Sequence, residues 1–219
     1  MSETPDTRTA ILDIAEAMLR ERGFPAFSYQ DIADQVGIRK ASVYYHFPSK
    51  EGLGIALVER FEARLKALGK GIADAAPVEK FELYFRSTRS ILEEENKICA
   101  FGILSAEINA LPSEMRVLVS RMMAKELWWL ERVLEEGRAA GHFHGGPTVQ
   151  EQASLISASL QGALQVARAT GDPERYHAVE RILKAQILTE EGHEALRDLP
   201  ACPRSAETLH TLFPKSAAS

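Results

Sequence analysis

The sequence has few cysteines, no long apolar run and no excess of positive charge. Its two cysteines, Cys99 and Cys202, are too few for a disulfide framework and do not form a metal-binding cluster. The N-terminal residues are polar and lack the apolar segment of a signal peptide, and no run approaches membrane-spanning length. We therefore expect a cytoplasmic protein in a reducing compartment, without a membrane partner.

Motifs of enzymes and of cofactor-binding proteins are also missing. The sequence has no glycine-rich phosphate loop, no His-Glu-x-x-His pair and no nucleophile elbow. It also lacks the sustained alternation of apolar and polar residues that predicts strands. These absences favour an all-α protein that is not an enzyme and has no cofactor. His142 and His144 lie in a glycine-rich loop without a nearby carboxylate or cysteine, so we expect exposed histidines and no metal.

Residues 28–50 predict two short helices joined by a tight turn. Ser28 can cap the first helix, because its hydroxyl can accept a hydrogen bond from a free N–H of the opening turn. Gly37 can adopt the left-handed conformation that ends this helix. The second helix, 39–46, directs Val43 to the core and has polar and cationic groups on its other face. This arrangement is typical of a helix-turn-helix that reads DNA, although the generic pattern alone also fits a solvated helical hairpin.

The specific residues of this segment favour a DNA-reading helix-turn-helix over a solvated helical hairpin. Residues 41–53, Ala-Ser-Val-Tyr-Tyr-His-Phe-Pro-Ser-Lys-Glu-Gly-Leu, resemble the signature of the tetracycline-repressor (TetR) family of bacterial transcriptional regulators. The preceding Ile-Ala-Asp-Gln-Val-Gly-Ile, residues 32–38, fits the same family in register. The resemblance covers about residues 7–66, with one departure at Pro48, where the family more often has a polar or charged residue. It implies a three-helix DNA-binding domain followed by a larger helical domain for ligand binding and dimerisation.

The resemblance also implies which residues contact a double-stranded DNA operator. The second helix would enter the major groove, where Lys40, Ser42 and Tyr44 reach bases or the nearest phosphates. Tyr45, His46 and Lys50 would hold the sugar-phosphate backbone. The complete expected set is Ser28, Tyr29, Gln30, Arg39, Lys40, Ser42, Tyr44, Tyr45, His46 and Lys50.

The charge distribution limits how strongly one copy could bind DNA. The whole chain has a net charge of −5, and residues 1–66 contain 9 Lys+Arg against 10 Asp+Glu. Recognition would therefore depend on a local cluster of cations and not on a broad basic surface. This makes a homodimer, which doubles the contacts, an expected feature.

The remaining sequence predicts further helices and a domain division. Amphipathic patterns and stop signals predict helices at about residues 7–22, 50–70, 78–96, 97–111, 113–140, 148–170 and 173–188. We expect a DNA-binding domain at 1–50 with the helix at about 50–70 as its connection, and a ligand-binding and dimerisation domain at 71–188. The tail, 189–219, is interrupted by proline and serine and is expected to be weakly ordered, with a turn of helix near 206–212 at most.

The second domain is the expected site of a small-molecule effector. Residues 81–130 are rich in large apolar side chains that could line a cavity, although a simple bundle core explains any one of them as well. Trp128 and Trp129 are adjacent and point about 100° apart, so they cannot both face one cavity centre. The expected lining is Phe81, Tyr84, Phe85, Phe101, Leu104, Glu107, Ile108, Met122, Met123, Trp128 and Gln161.

The last two helices, at about 148–188, are the expected homodimer surface. Small residues at Ala158, Gly162 and Ala169 would let helices approach closely, with apolar area from Leu155, Leu160 and Leu164. A stripe on the final helix, formed by Tyr176, Val179, Leu183 and Ile187, would complete the surface.

Two further possibilities follow from the residues. Cys99 lies at the start of a short helix and could sense oxidants, but a buried inert cysteine is the favoured interpretation. The alternative function is an all-α small-molecule-binding or protein-interaction module without DNA-binding activity.

Overall fold

The computed structural model describes residues 6–93 and 97–199, and these ranges are helical apart from their connections. The helices, in chain order, are α1 (Thr7–Arg22), α2 (Tyr29–Val36), α3 (Lys40–His46), α4 (Lys50–Gly71), α5 (Pro77–Arg89), α6 (Ala100–Ala106), α7 (Ser113–Ala139), α8 (Val149–Thr170), α9 (Glu174–Ile187) and α10 (Glu190–Arg197). Short 3₁₀ turns occur at Ser90–Glu93 and Ile108–Ala110. The described ranges contain no strand, only an isolated antiparallel bridge between Phe143 and Leu188. The all-α prediction is confirmed.

The chain divides into two compact units. Of the described residues, the first unit contains 6–66 and 97–122, and the second contains 67–93 and 123–199. The sequence predicted a division near residue 70 but did not predict that 97–122 would join the N-terminal unit. None of the helices in the described ranges is long and apolar enough to cross a bilayer.

The first unit is built around one apolar core. The stripe on α1 that the sequence predicts is buried, including Ile11, Ala15 and Leu19. Helices α2 to α4, together with α6 and the first part of α7, cover this stripe. Their most buried core residues are Ile32, Ala33, Val43, Leu53, Leu57, Ala100, Leu104, Met115, Val119 and Met122. The core therefore depends on residues 97–122 as well as on the helix-turn-helix.

The second unit has an aromatic centre and a closely packed pair of helices. The rings of Phe81 and Phe85 lie 4.7 Å apart, and the ring of Phe143 is 4.9 Å from Phe81. Helices α8 and α9 pack along each other. Thr148 caps α8 through a capping box with Glu151, as expected of a threonine at this position.

The boundaries of α5 and α6 differ from those predicted. Helix α5 ends at Arg89, and near its end the hydroxyls of Ser87 and Thr88 donate to the carbonyl of Tyr84 (2.8 and 2.7 Å). Helix α6 has only 7 residues, where the sequence predicted a helix over about 97–111. Residues 94–96 lie outside the described residues.

Helix α10 was not predicted. The hydroxyl of Thr189 accepts a hydrogen bond from the Gly192 N–H (3.0 Å) and donates one to the Gly141 carbonyl (2.8 Å). The Thr189 N–H donates to the His142 carbonyl (3.0 Å), so the chain at 141–144 fixes the start of the helix. The expected turn near residues 206–212 lies outside the described residues.

Candidate nucleic-acid interface

The turn between α2 and α3 has the geometry that the sequence predicts. The Asp31 carboxylate accepts a hydrogen bond from the Ser28 N–H (2.7 Å), and the Ser28 hydroxyl caps the Asp31 N–H. These hydrogen bonds from Ser28 lower the pKa of Asp31, so its carboxylate stays charged at the positive end of the α2 dipole. Gly37 has φ +76°, in the left-handed region, and its N–H donates to the Ala33 carbonyl (2.9 Å).

Buried side chains and a hydrogen bond from Tyr29 hold the inner face of α3 against the core of the first unit. Val43 and Phe47 are buried in the core of the first unit. The Tyr29 hydroxyl donates to the Phe47 carbonyl (2.8 Å), which ties the start of α2 to the end of α3. The Tyr29 ring also meets the Tyr44 ring edge-on at 4.8 Å. Burial raises the pKa of Tyr29 to about 12, so its hydroxyl remains a donor at neutral pH.

The outer face of α3 presents cationic and aromatic groups to solvent. Arg39 and Lys40 are exposed, Tyr44 is 49% exposed and Tyr45 is 84% exposed. Ser42 and His46, also predicted to contact DNA, are partly exposed on the same short helix. Within the described part of the chain, neither Arg39 nor Lys40 forms an ion pair, which leaves both cations available for an external anion.

Two residues predicted to contact DNA have internal partners instead. Tyr29 is buried and uses its hydroxyl on Phe47. The Lys50 ammonium donates to the carbonyls of Phe27 and Pro25 and lies 4.7 Å from the centre of the Phe27 ring. Contacts of both side chains with DNA stay predictions. The sequence could not show these internal partners, because they depend on how the loop before α2 folds back over the start of α4.

The other two contacts predicted from α2 lie at its exposed start. The Ser28 hydroxyl donates to the Asp31 carboxylate (2.7 Å), and the Gln30 amide donates to the Asp34 carboxylate (2.8 Å). Both side chains are accessible, so a contact with DNA would require these local hydrogen bonds to be shared or exchanged.

Residues 97–122 are connected to α1 by polar contacts. The Arg20 guanidinium donates to the Ile98 carbonyl (3.1 Å), and the Ile98 N–H donates to the Arg20 carbonyl (2.7 Å). The Glu107 carboxylate accepts the Phe24 N–H (2.9 Å) at the end of α1. Glu107 was predicted to line the effector site, and its carboxylate has a hydrogen-bond partner in the first unit.

The predicted effector-site residues are divided between the two units. In the first unit, Leu104 and Met122 belong to the buried core, and Phe101 and Ile108 pack against it. These four residues therefore serve the same core as the helix-turn-helix, which the sequence did not indicate.

The second unit contains the other predicted effector-site residues. Phe81 and Phe85 are buried, whereas Tyr84, Met123 and Gln161 are partly exposed. Trp128 is 62% exposed, and its place at an effector site stays a prediction. Its neighbour Trp129 is the one that turns inward, with its ring 6.1 Å from the ring of Tyr84.

A polar cluster accompanies these aromatic residues. The Tyr84 hydroxyl donates to the Glu126 carboxylate (2.6 Å), and the Ser157 hydroxyl donates to the same oxygen, Oε1 (3.2 Å). Desolvation raises the pKa of Glu126, and these two hydrogen bonds partly oppose the increase. The sequence did not single out Glu126, because its spacing on α7 is that of an ordinary surface acid.

The cysteine and the histidines differ in accessibility. Cys99 is buried at the start of α6, which fits the inert interpretation. His144 is exposed as expected, but His142 is partly buried, and its Nδ1 has no hydrogen-bond partner among the described residues. In residues 6–93 and 97–199, no group of His, Cys, Asp and Glu side chains could hold a metal ion.

One side of the α8–α9 pair carries exposed apolar residues. Leu155 is 53% exposed and Val166 is 49% exposed on α8, and Ile182 is 57% exposed on α9. Ala158, Gly162 and Ala169 are exposed along the same side of α8, and a Cβ placed on Gly162 would meet nothing within 4 Å. We call these six residues the α8–α9 face. In contrast, Leu160, Leu164, Tyr176, Leu183 and Ile187 are buried within the unit, and their place at a dimer surface stays a prediction.

Comparison with known proteins identifies the family. Residues 11–57 match the model of bacterial regulatory proteins of the tetR family, and residues 77–183 match the tetracyclin repressor-like C-terminal domain. The chain is 32% identical to the HTH-type transcriptional repressor KstR2 of Mycobacterium tuberculosis over 62% of this chain and 68% of that protein. It is 26% identical to the HTH-type transcriptional repressor DhaR of a Mycobacterium species, over 75% of this chain and 83% of that protein.

Solved structures support the same assignment. A transcriptional regulator of the TetR family from Agrobacterium tumefaciens superposes with a TM-score of 0.76 at 31% identity, covering 83% of this chain and 97% of that one. The exposed outer face of α3 thus occurs in a chain whose two parts both match regulatory proteins. The chain belongs to the tetR family of bacterial regulatory proteins and is a DNA-binding transcriptional regulator.

Proposed function

We propose that the protein is a homodimeric, cytoplasmic repressor that binds an operator through α3 and is released by a small molecule. The observation that carries this proposal is the outer face of α3, where Arg39, Lys40, Tyr44 and Tyr45 are exposed on a helix fixed from behind by buried residues. A rigid helix of this kind can enter the major groove without rearranging its own core.

The groups on α3 suit two kinds of contact. Arg39 and Lys40, at the start of the helix, can neutralise phosphates, because no ion pair within the described residues competes for them. The hydroxyl of Tyr44 can bond to a base edge or a phosphate, and its ring is supported by Tyr29. Tyr45, which is 84% exposed, would lie against the sugar-phosphate backbone.

A gel-shift titration against the DNA upstream of the protein's own gene tests this proposal. We expect Lys40→Ala and Tyr44→Ala to weaken binding. For Lys40→Ala we also expect the slope of log K against log salt to fall by about one for each phosphate that the variant no longer neutralises. Lys66→Ala is the matched control, since Lys66 is an exposed cation of α4 outside this face. Unchanged binding and an unchanged slope for both α3 variants would contradict the proposal.

The α8–α9 face supports the homodimer. Its exposed apolar side chains, Leu155, Val166 and Ile182, accompany small residues that let another helix approach. Burial of such a face in a partner copy would remove this apolar area from water. Pairing would also double the few DNA contacts available to a chain with a net charge of −5.

Gly162→Glu tests the dimer by light scattering coupled to size exclusion. We expect this variant to be a monomer, because the carboxylate would be buried in the interface without a partner. The monomer itself should fold, since the added Cβ meets no atom within 4 Å and glycine is a poor residue for a helix interior. The control is Ala139→Glu, which places the same charge at an exposed position at the end of α7. A dimeric Gly162→Glu variant would argue against this face.

A further inference from the structure

Glu82 and Glu180 are the buried carboxylates among the described residues of the second unit, and both are paired with cations. Glu82 contacts Arg86 (3.0 Å) and Lys184 (2.5 Å), and Glu180 contacts Arg89 and Lys184 (both 2.7 Å). Glu126 has no ion pair among the described residues, and its hydrogen-bond partners there are two hydroxyls. Removing an unpaired carboxylate from water costs free energy, so an unpaired Glu126 calls for an explanation.

The geometry around Glu126 leaves one oxygen available. Tyr84 and Ser157 both donate to Oε1, whereas Oε2 accepts no hydrogen bond from any described residue. Tyr84 and Glu126 are partly exposed, so this carboxylate is not sealed within the core of the unit. An external donor could bond to Oε2 without displacing a described partner.

Aromatic rings are grouped around Tyr84, whose hydroxyl is bonded to this carboxylate. Trp129 lies three residues after Glu126 on α7 and so shares its face of the helix. The centres of the Trp129 and Tyr84 rings are 6.1 Å apart with an interplanar angle of 35°, and the ring of Phe85 lies 6.2 Å from that of Tyr84. Aromatic faces attract cations and also bury apolar groups.

A carboxylate with a free oxygen next to aromatic rings has the chemistry that recognises an organic ammonium group. The carboxylate would supply the opposite charge and an acceptor for N–H, and the rings would contact the carbon skeleton. A neutral ligand would leave the charge uncompensated, and an anion would be repelled by it.

We propose that Tyr84, Glu126 and Trp129 form the subsite for a positively charged amine of the effector. This inference rests on the proposed function, because it assumes that the second unit binds an effector. Ser157 acts as a positioning residue that holds the carboxylate through Oε1.

Fluorescence of Trp129 can report binding directly. The chain has two tryptophans, and Trp128→Phe removes the exposed one, so Trp129 becomes the single reporter. The probes are 2-phenylethylamine, 2-phenylethanol and 3-phenylpropanoate, which share a skeleton and differ in charge. At neutral pH we expect the amine to bind at least about tenfold tighter than the alcohol, and the carboxylate not to bind. The same ranking should appear in the unmodified chain as shifts of the thermal midpoint.

Two variants test whether the Glu126 carboxylate causes the preference for the amine. Glu126→Gln keeps the shape and should bind the amine and the alcohol equally, whereas Glu135→Gln, an exposed acid of α7 paired with Arg132, should behave as the parent protein. The inference is overturned if no probe binds, if the alcohol or the carboxylate is preferred, or if Glu126→Gln retains the preference. Operator binding is measured separately without probes, so these failures leave the repressor proposal standing.

Discussion

The internal contacts of the Lys50 ammonium favour a structural role over a DNA-binding role for this residue. Its ammonium donates to the carbonyls of Pro25 and Phe27 and lies 5.0 and 4.7 Å from the centres of the Phe24 and Phe27 rings. Lys50→Met keeps the apolar stem and removes these polar interactions. We expect this variant to lose stability while keeping the exposed groups of α3 that we propose to contact DNA.

The expected magnitude follows from the interactions that the Lys50 ammonium makes. A hydrogen bond from a charged donor contributes about 1.5–3 kcal/mol, and a cation above a ring adds about 0.5–1 kcal/mol. Burial lowers the pKa of Lys50, opposed by the charges of Asp31 and Glu107, so desolvation offsets part of this gain. We expect a net decrease in stability of about 2 kcal/mol, which in a chain of this size lowers Tm by about 4–8 °C.

Two measurements on the same samples test this reasoning. Calorimetry or circular dichroism gives Tm, and operator titrations at several salt concentrations give the slope of log K. Lys40→Ala should show the opposite pattern, with an unchanged Tm and a smaller slope. If Lys50→Met kept its Tm and reduced the slope by about one per copy, the internal role of Lys50 would be refuted.

Two other variants test the packing of each unit. In Gly54→Ala, the added Cβ would overlap Met115 Sδ and lie 2.8 Å from Phe24 Cζ. We therefore expect urea denaturation to show a decrease in stability of about 1–3 kcal/mol. An unchanged denaturation midpoint would argue against this close packing. Glu126→Gln should stabilise the ligand-free protein near pH 7. Burial raises the pKa of Glu126 above its ordinary 4.5. The stability of the wild-type protein therefore falls as pH rises from 4.5 to this raised pKa. The advantage of the variant should disappear below about pH 4.5, and equal stability at both pH values would contradict the desolvation of this carboxylate.

The helix-turn-helix was predictable because its signals are local. Ser28 as a cap and Gly37 as a left-handed stop each act within a few residues of their position in the sequence. The apolar spacing of α1 and α4 likewise determines which face is buried. These features do not depend on how distant segments meet, so the order of the residues was sufficient to predict them.

Interactions between distant segments could not be predicted in the same way. Glu107 meets the Phe24 N–H across 83 residues, and no local pattern marks that pairing. Which of Trp128 and Trp129 faces inward depends on the rotation of α7 about its axis. Two adjacent apolar residues do not determine that rotation. The paired carboxylates, and the hydroxyl partners of Glu126, are visible only once α5, α7, α8 and α9 are assembled.

The association of residues 97–122 with the N-terminal unit affects how this protein could be recombined with its relatives. A fragment ending at Lys66 would expose the core surface that Leu104, Met115 and Val119 cover. A chimera that exchanges recognition between two relatives therefore needs three junctions, so that residues 97–122 travel with the helix-turn-helix. If the second unit binds the proposed effector, its specificity would be inherited through the described segments 67–93 and 123–199, which are separated in the gene.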